Sequence, residues 1–485
     1  MKTITIDPIT RLEGHGKINI FLNDHGDVEN AYLQIPELRG FEKFAEGRRA
    51  EDMPQITSRI CGVCPVAHHF AATKALDAAF HVDPPAAAKK LRELLYTGYI
   101  IYDHILHFYF LGGPDFVVGP EAPAAKRNIL GVIEKAGLDV AKDVIKHRAY
   151  GQKITAILGG KATHPVCGLP GGVSKGLSKE EVVEIKNMVA SCHTFAKFTL
   201  NLFEDVVLKN KTYVDLIQSD PYTLKTYNMG LVDKHNKVNF YDGLIRVTDQ
   251  EAQELEKFDV KDYSKHIAEL VEEWSYMKYP YLKSVGWNGL TDGKTSGIYR
   301  VGPLGRLNAA DGMATPQAEK EYKRMFDTLG GKPVNSTLAF HWARLIELLY
   351  ATERAKELID DADITSTHIR NPVGTPGEGI GVVEAARGTL IHHYHVDKKG
   401  LIEKANMIVA TTNNAGAITM SVRDAAKGVI HKGHVTEGLL NKVEMAFRAY
   451  DPCFGCATHT LPGGLPMTVN IYDHRRKLYK TFSQP

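Results

Sequence analysis

The chain has 485 residues, of which 44% are hydrophobic and 24% charged, and a formal net charge of +2. This is the composition of an ordinary globular protein, and its near-neutrality excludes a nucleic acid or an acidic membrane as the main partner. No run of about 20 apolar residues occurs, so no membrane span is expected; the most apolar segment, 99–111, is broken by Asp103, His104 and His107.

The chain opens as β structure. Ile4 and Ile6 alternate with polar residues, as do Ile18, Ile20 and Leu22, and after the turn Asn23-Asp24-His25-Gly26 a strand is predicted over 28–35. Asp83 before Pro84 reads as an N-cap followed by proline in the first turn, opening a long helix that runs to about residue 111. Ser178 with Glu181 forms a capping box for a helix whose apolar stripe is Val182, Ile185, Val189, Cys192, Ala196 and Phe203. Residues 163–176 and 371–381 are rich in Gly and Pro and read as loops. A helix is predicted over 338–358, paired strands at 382–383 and 389–396, and helices over 419–430 and 437–446. The expected fold class is mainly α with a small N-terminal β element (α+β), in one body.

Cys61-Gly62-Val63-Cys64 stands near the start and Cys453-Phe454-Gly455-Cys456 near the end, each followed by a histidine, His68 and His459. Each Cys-x-x-Cys alone reads as half a zinc site, a redox pair or coincidence. A redox pair wants a strand-to-helix setting in a small α/β domain, which is not found. Together the pairs supply four thiolates, enough for one metal centre, with zinc the commonest occupant. Six cysteines are too few for a disulfide scaffold. Cys192 reads as a small buried hydrophobe and Cys167 as structural. Residues 1–7 lack the features of a secretory signal, so a cytoplasmic location is expected.

The sequences Arg59-Ile60-Cys61-Gly62-Val63-Cys64 with His68, and Asp451-Pro452-Cys453-Phe454-Gly455-Cys456-Ala457-Thr458-His459, resemble the N- and C-terminal nickel motifs of the [NiFe]-hydrogenase large subunit. Asp7-Pro8-Ile9-Thr10-Arg11-Leu12-Glu13-Gly14-His15, Arg39-Gly40-Phe41-Glu42, His164-Pro165 with Pro170-Gly171-Gly172, and Glu384-Ala385-Ala386-Arg387-Gly388 are similar to further family segments in the same order. The resemblance covers essentially the whole chain. It implies the large-subunit fold with long central helices, as one domain over 1–459.

It also implies a nickel–iron centre whose iron carries CN and CO, with Cys64 and Cys456 bridging the metals and Cys61 and Cys453 terminal on nickel. Thiolates suit this role as soft donors that stabilise several nickel oxidation states. Arg387 and Thr411 would hydrogen-bond the cyanides, with Asp115 and Asp451 orienting Arg387. His68 would donate to a ligand sulfur. Many relatives have proline before the arginine; Ala386 here implies a less rigid or wetter pocket. Heterolytic splitting of H2 is expected, with Cys453 taking the proton and Glu13 relaying it; Arg387 is the alternative first base, and pairing with Arg11 the structural alternative for Glu13. Glu42, His459 and the backbone near Met407 would hold a second ion, Mg2+ or Fe2+.

The resemblance further implies partners. A small subunit would carry iron–sulfur clusters, since this chain has no cysteines left over for them. Beyond it would stand an acceptor of the heterodisulfide-reductase or viologen-reducing type, or else a flavin, NAD or ferredoxin (bifurcating) module. A maturation endopeptidase would remove residues 460–485. That tail holds Arg475, Arg476, Lys477 and Lys480 against Asp473, a net +3, so its loss takes the chain from +2 to −1. Two other classes compete: a complex I-like quinone-site subunit, which lacks the nickel cysteines, and a structural zinc protein.

Overall fold

The computed structural model describes residues 2–7, 9–458, 467–472 and 478–484. The N-terminal strands Lys2–Ile6, Lys17–Leu22 and Val28–Gln34 form an antiparallel sheet in sequence order. Ile18, Ile20 and Leu22 are buried and their neighbours are not, as period-2 alternation requires. The last of these strands packs on the helix Ala415–Val429.

The centre is a bundle of long helices. Ala86–Leu106 packs on Leu138–Gly159 and on Phe340–Ile359, and Lys179–Phe203 packs on both of the latter. Residues 94–105 are buried without a break, as expected of a helix enclosed on all sides. The helix starts at Ala86, three residues after the predicted Asp83 cap. The second proline explains the delay: a residue preceding proline is pushed out of the α region, so Pro84 before Pro85 cannot begin the helix. At its far end the α-helix passes into a π-helical turn, His107–Gly112, before Pro114. The Ser178 capping box is present, and Ile185, Val189, Cys192, Ala196 and Phe203 are all buried. Cys192 and Cys167 are buried, and burial pushes their thiols up to about 12. No helix among the described residues is long and apolar enough to cross a membrane.

The α+β class holds, with more strand than the N-terminal sheet. A four-stranded sheet contains Tyr227–Val232, Leu244–Thr248, Glu254–Phe258 and Tyr299–Arg300, the last pairing parallel to the first. Its central strand, Tyr227–Val232, is buried on both faces, so its sequence does not alternate. A second sheet orders Glu378–Ala385, Gly388–Val396 and Ile402–Ile408 as an antiparallel meander. Gly379 and Gly381, predicted to lie in a loop, belong to its first strand. Their lack of side chains lets the helix Pro65–Ala79 lie directly on the strand: a Cβ at either would come within 2.1 Å of a carbonyl oxygen of that helix.

The largest apolar cluster runs from Ile9 to Ala457, so both ends of the chain share one core. The loop carrying Glu13 pairs with the turn carrying Cys453 through a parallel bridge, and Phe454 N–H donates to the Glu13 carbonyl at 3.0 Å. Arg39 N–H donates to the Thr458 carbonyl at 2.8 Å.

Candidate metal centre

Cys64 is the N-cap of the helix Pro65–Ala79, with Pro65 in its first turn. A sulfur there sits at the positive end of the helix dipole, which offsets part of the rise in thiol pKa that Cys61 and burial bring about. The N–H of Val63 donates to Cys61 Sγ at 3.2 Å. Cys453 caps the 3-10 turn Phe454–Cys456, and Cys456 is its last residue. The chain ends bring the pairs together. Cys61 Sγ lies 3.4 Å from Cys453 Sγ, Cys64 Sγ 3.5 Å from Cys456 Sγ, and all four sulfurs fall within 4.8 Å of one another. All four are buried and none is in a disulfide. Four buried soft donors converging on one point are a donor set for nickel or zinc, not for a hard cation.

The surroundings separate those two metals. A small enclosed cavity lies against Cys64, Cys453 and Cys456, with Arg387, Thr411 and His68 on its wall. Arg387 Nη1 is 3.1 Å from Asp103 and Nη2 2.9 Å from Asp451. Burial alone would lower its pKa, but Asp103 and Asp451 hold it charged. Arg387 Nε is buried and has no hydrogen-bond partner among the described residues. An orphaned guanidinium N–H is costly unless an acceptor meets it, and a cyanide on a metal held by these sulfurs is such an acceptor. A structural zinc site needs none of this. The residues therefore fit a nickel–iron centre with diatomic ligands. Thr411 Oγ1 accepts from Cys453 N–H at 3.0 Å, tying the cavity wall to the sulfur turn.

Asp115 is not a partner of Arg387. Its carboxylate lies between Arg11 and Arg448, at 2.5 and 2.6 Å. The carboxylate that joins Asp451 on Arg387 is Asp103, one helical turn beyond Tyr99. Tyr99 and Asp103 face the 385–388 turn together, since the Ala386 N–H donates to Tyr99 Oη at 3.1 Å. The π-turn and Pro114 intervene before Asp115, which lands in the other cluster. A proline at 386 could not donate that hydrogen bond. Ala386 is fully buried, and its N–H anchors the turn to Tyr99.

Glu13 Oε2 accepts from Cys453 Sγ at 2.9 Å and from Gly455 N–H at 3.1 Å. Arg11 is instead engaged by Asp115, Asn441 and the Leu111 carbonyl. Burial, reinforced by Cys61, raises the Glu13 pKa. Burial also raises Asp451, to about 6. His68 is lowered to about 4, mainly by burial, so its ring is neutral. Its Nδ1 lies 3.1 Å from His392 Nε2, and His392 Nδ1 lies 2.6 Å from Tyr394 Oη. Sequence reasoning missed His392 and Tyr394; their i, i+2 spacing on a strand was the available signal. Buried Glu42 accepts from Met407 N–H at 2.6 Å, placing that carboxylate beside the expected backbone segment. His459 lies outside the described residues.

Comparison with known proteins gives the same direction. Residues 39–129 and 143–459 match the nickel-dependent hydrogenase family, and residues 3–38 match a HoxL-like family. The chain is 47% identical over 483 residues to an F420-non-reducing hydrogenase iron-sulfur subunit of Archaeoglobus profundus, covering 99% of each. It is 39% identical to the NAD-reducing hydrogenase HoxS subunit beta of Cupriavidus necator, covering 98% of each. Among solved structures it superposes on an NAD+-reducing [NiFe]-hydrogenase in the H2-reduced state with a TM-score of 0.89 at 38% identity, over 95% of this chain and 100% of that one. It superposes on the Ni-Fe-Se hydrogenase of D. vulgaris Hildenborough with a TM-score of 0.76 at 25% identity, over 94% and 100%. Convergent cysteines, a caged arginine and whole-length likeness agree: the chain belongs to the nickel-dependent hydrogenases and is the large, metal-binding subunit of such an enzyme.

Proposed function

We propose that this subunit oxidises H2 to two protons and two electrons, reversibly, and passes the electrons to an iron–sulfur small subunit. The observation that carries this reading is the four-sulfur cluster with Glu13 in hydrogen-bond contact with Cys453. When bound, a nickel–iron centre would supply a Lewis-acidic, redox-active pair for H2. Cys61, Cys64, Cys453 and Cys456 hold it. Cys453 Sγ accepts the proton and hands it to Glu13 Oε2, which is already at hydrogen-bonding distance. A raised pKa suits a carboxyl that must both take and release that proton. Arg387, held charged by two carboxylates, is poorly disposed to act as first base; its unpartnered Nε would serve as donor to one cyanide and the Thr411 hydroxyl as donor to the other. Glu42, the Met407 backbone and His459 bind a hard cation near the C-terminal motif. Residues 460–485 are removed by an endopeptidase, which intact mass before and after maturation tests directly.

The 47% identity to an F420-non-reducing relative favours an acceptor of the heterodisulfide-reductase or viologen-reducing type in the cytoplasm. An NAD- or ferredoxin-linked module is the second reading, favoured by the likeness to the NAD+-reducing enzyme. Purifying the native complex, identifying its subunits and assaying viologen, NAD+ and ferredoxin reduction separates the two. The small subunit docks over the groove of about 600 Å³ lined by Arg39, Phe41, Phe44 and Arg59. Arg39 reaches from it to the carbonyls of Ile60 and Gly455, at the edge of the metal centre. A complex I-like role is disfavoured by retention of all four cysteines.

A further inference from the structure

A second group of ligand-type side chains lies outside the nickel–iron pocket. Glu378, His393 and His395 place one carboxylate oxygen and two ring nitrogens within 4.8 Å of one another. We propose that these three residues form a second transition-metal site, selective for a borderline divalent cation of the Zn2+ type.

Strand geometry builds it. The run His392-His393-Tyr394-His395 splits between the two faces of Gly388–Val396. His392 and Tyr394 point to the buried relay behind His68. His393 and His395 share the opposite face, and Glu378 is the direct cross-strand partner of His395. Glu378 Oε1 lies 2.7 Å from His393 Nε2 and 3.9 Å from His395 Nε2. Ligands about 2.0–2.1 Å from a tetrahedral Zn2+ stand roughly 3.3 Å apart, between those two values. Small side-chain rotations therefore close the site.

The ring orientation is already set. His393 Nδ1 lies 3.0 Å from Tyr263 Oη, which also accepts from Asn406 Nδ2 at 3.2 Å. A metal-binding imidazole characteristically uses its other nitrogen in this way, because that bond fixes the tautomer. Two imidazoles and one carboxylate select Zn2+, Co2+ or Ni2+ over Mg2+ or Ca2+. Lys404 faces His395 across the next strand, but it is exposed and its ammonium can extend into water. Glu378 is 57% exposed at its side chain, so at least one coordination position opens to solvent. His393 is six residues along the strand from Arg387, about 20 Å at ~3.3 Å per residue. The site thus pins the open end of the hairpin whose closed end carries Arg387.

The test uses the purified complex, stripped of loosely bound metal and titrated with ZnCl2. Wild type is expected to take up one Zn2+ per large subunit that the His393→Ala/His395→Ala double variant does not. Glu378→Gln should weaken that uptake at least tenfold, and Tyr263→Phe by roughly tenfold, the usual loss when such an orienting bond is removed. CoCl2 in place of zinc should give low-coordinate ligand-field bands in wild type alone. Viologen reduction by H2 should be unchanged in all variants. Equal zinc uptake by wild type and double variant, or wild-type binding weaker than about 1 mM, overturns the proposal. If the double variant fails to fold, His395→Ala and Glu378→Gln, at partly exposed positions, decide it by the same readouts.

Discussion

The two ends of the 378–396 hairpin use charged side chains in opposite ways. At the closed end, Arg387 is buried between Asp103 and Asp451, and its freedom is removed. At the open end, Glu378 and His395 stand partly in water, 3.9 Å apart. A charge taken out of water is expensive unless its partners are well placed, whereas an exposed pair is screened and weak. The closed end can therefore hold a fixed donor against a metal ligand. The open end, where Glu378 already meets His393 but lies 3.9 Å from His395, would be drawn together by a bound cation.

Substitutions should reveal that difference, beginning inside the pocket. Cys453→Ser removes a soft donor and the proton acceptor together; H2 uptake should fall to background and bound nickel should be lost, both measurable on purified complex. Arg387→Ala strands two buried carboxylates and should cost about 3–5 kcal/mol in denaturant unfolding of the metal-free subunit. Glu13→Gln keeps the shape but cannot carry a proton. Hydrogen–deuterium exchange should drop by about 10²–10⁴-fold with nickel and iron retained, and full exchange activity in this variant would falsify the Cys453–Glu13 route.

Asp115 gives a subtler contrast. Burial pushes its pKa up, but Arg448 and Arg11 outweigh this and hold it below the usual carboxylate range. A depressed folded-state pKa contributes stability that is present above the unfolded value of about 3.9 and lost as pH falls through the folded one. Asp115→Asn should therefore be less stable than wild type at pH 6, with the gap narrowing below about pH 4 in acid titrations followed by circular dichroism. The smallest effect belongs to the open end: Glu378→Gln should change metal-free stability by less than about 1 kcal/mol.

Parts of this were legible from sequence, for identifiable reasons. Each Cys-x-x-Cys fixes two sulfurs locally, so only the meeting of the chain ends had to be supplied. Amphipathic stripes and the Ser178 box located the 179–203 helix because that helix is half-exposed. The strand Tyr227–Val232, buried on both faces, offered no alternation and went unread. Gly379 and Gly381 signalled a loop because glycine normally does; here the glycines admit a helix against a strand. Asp103 was passed over for Asp115 because the π-turn between them changes which carboxylate faces the 385–388 turn, and a linear sequence does not show that change of phase.

Four cysteines drawn from both ends of the chain are placed to hold one nickel–iron centre against Arg387. Infrared spectroscopy of the purified complex, with nickel and zinc quantified on the same sample, tests it most directly. Expected are bands from iron-bound CO and CN, about one nickel per large subunit, and cyanide bands that shift in Arg387→Lys while CO moves less. Zinc without nickel, and no such bands in active preparations, would contradict it.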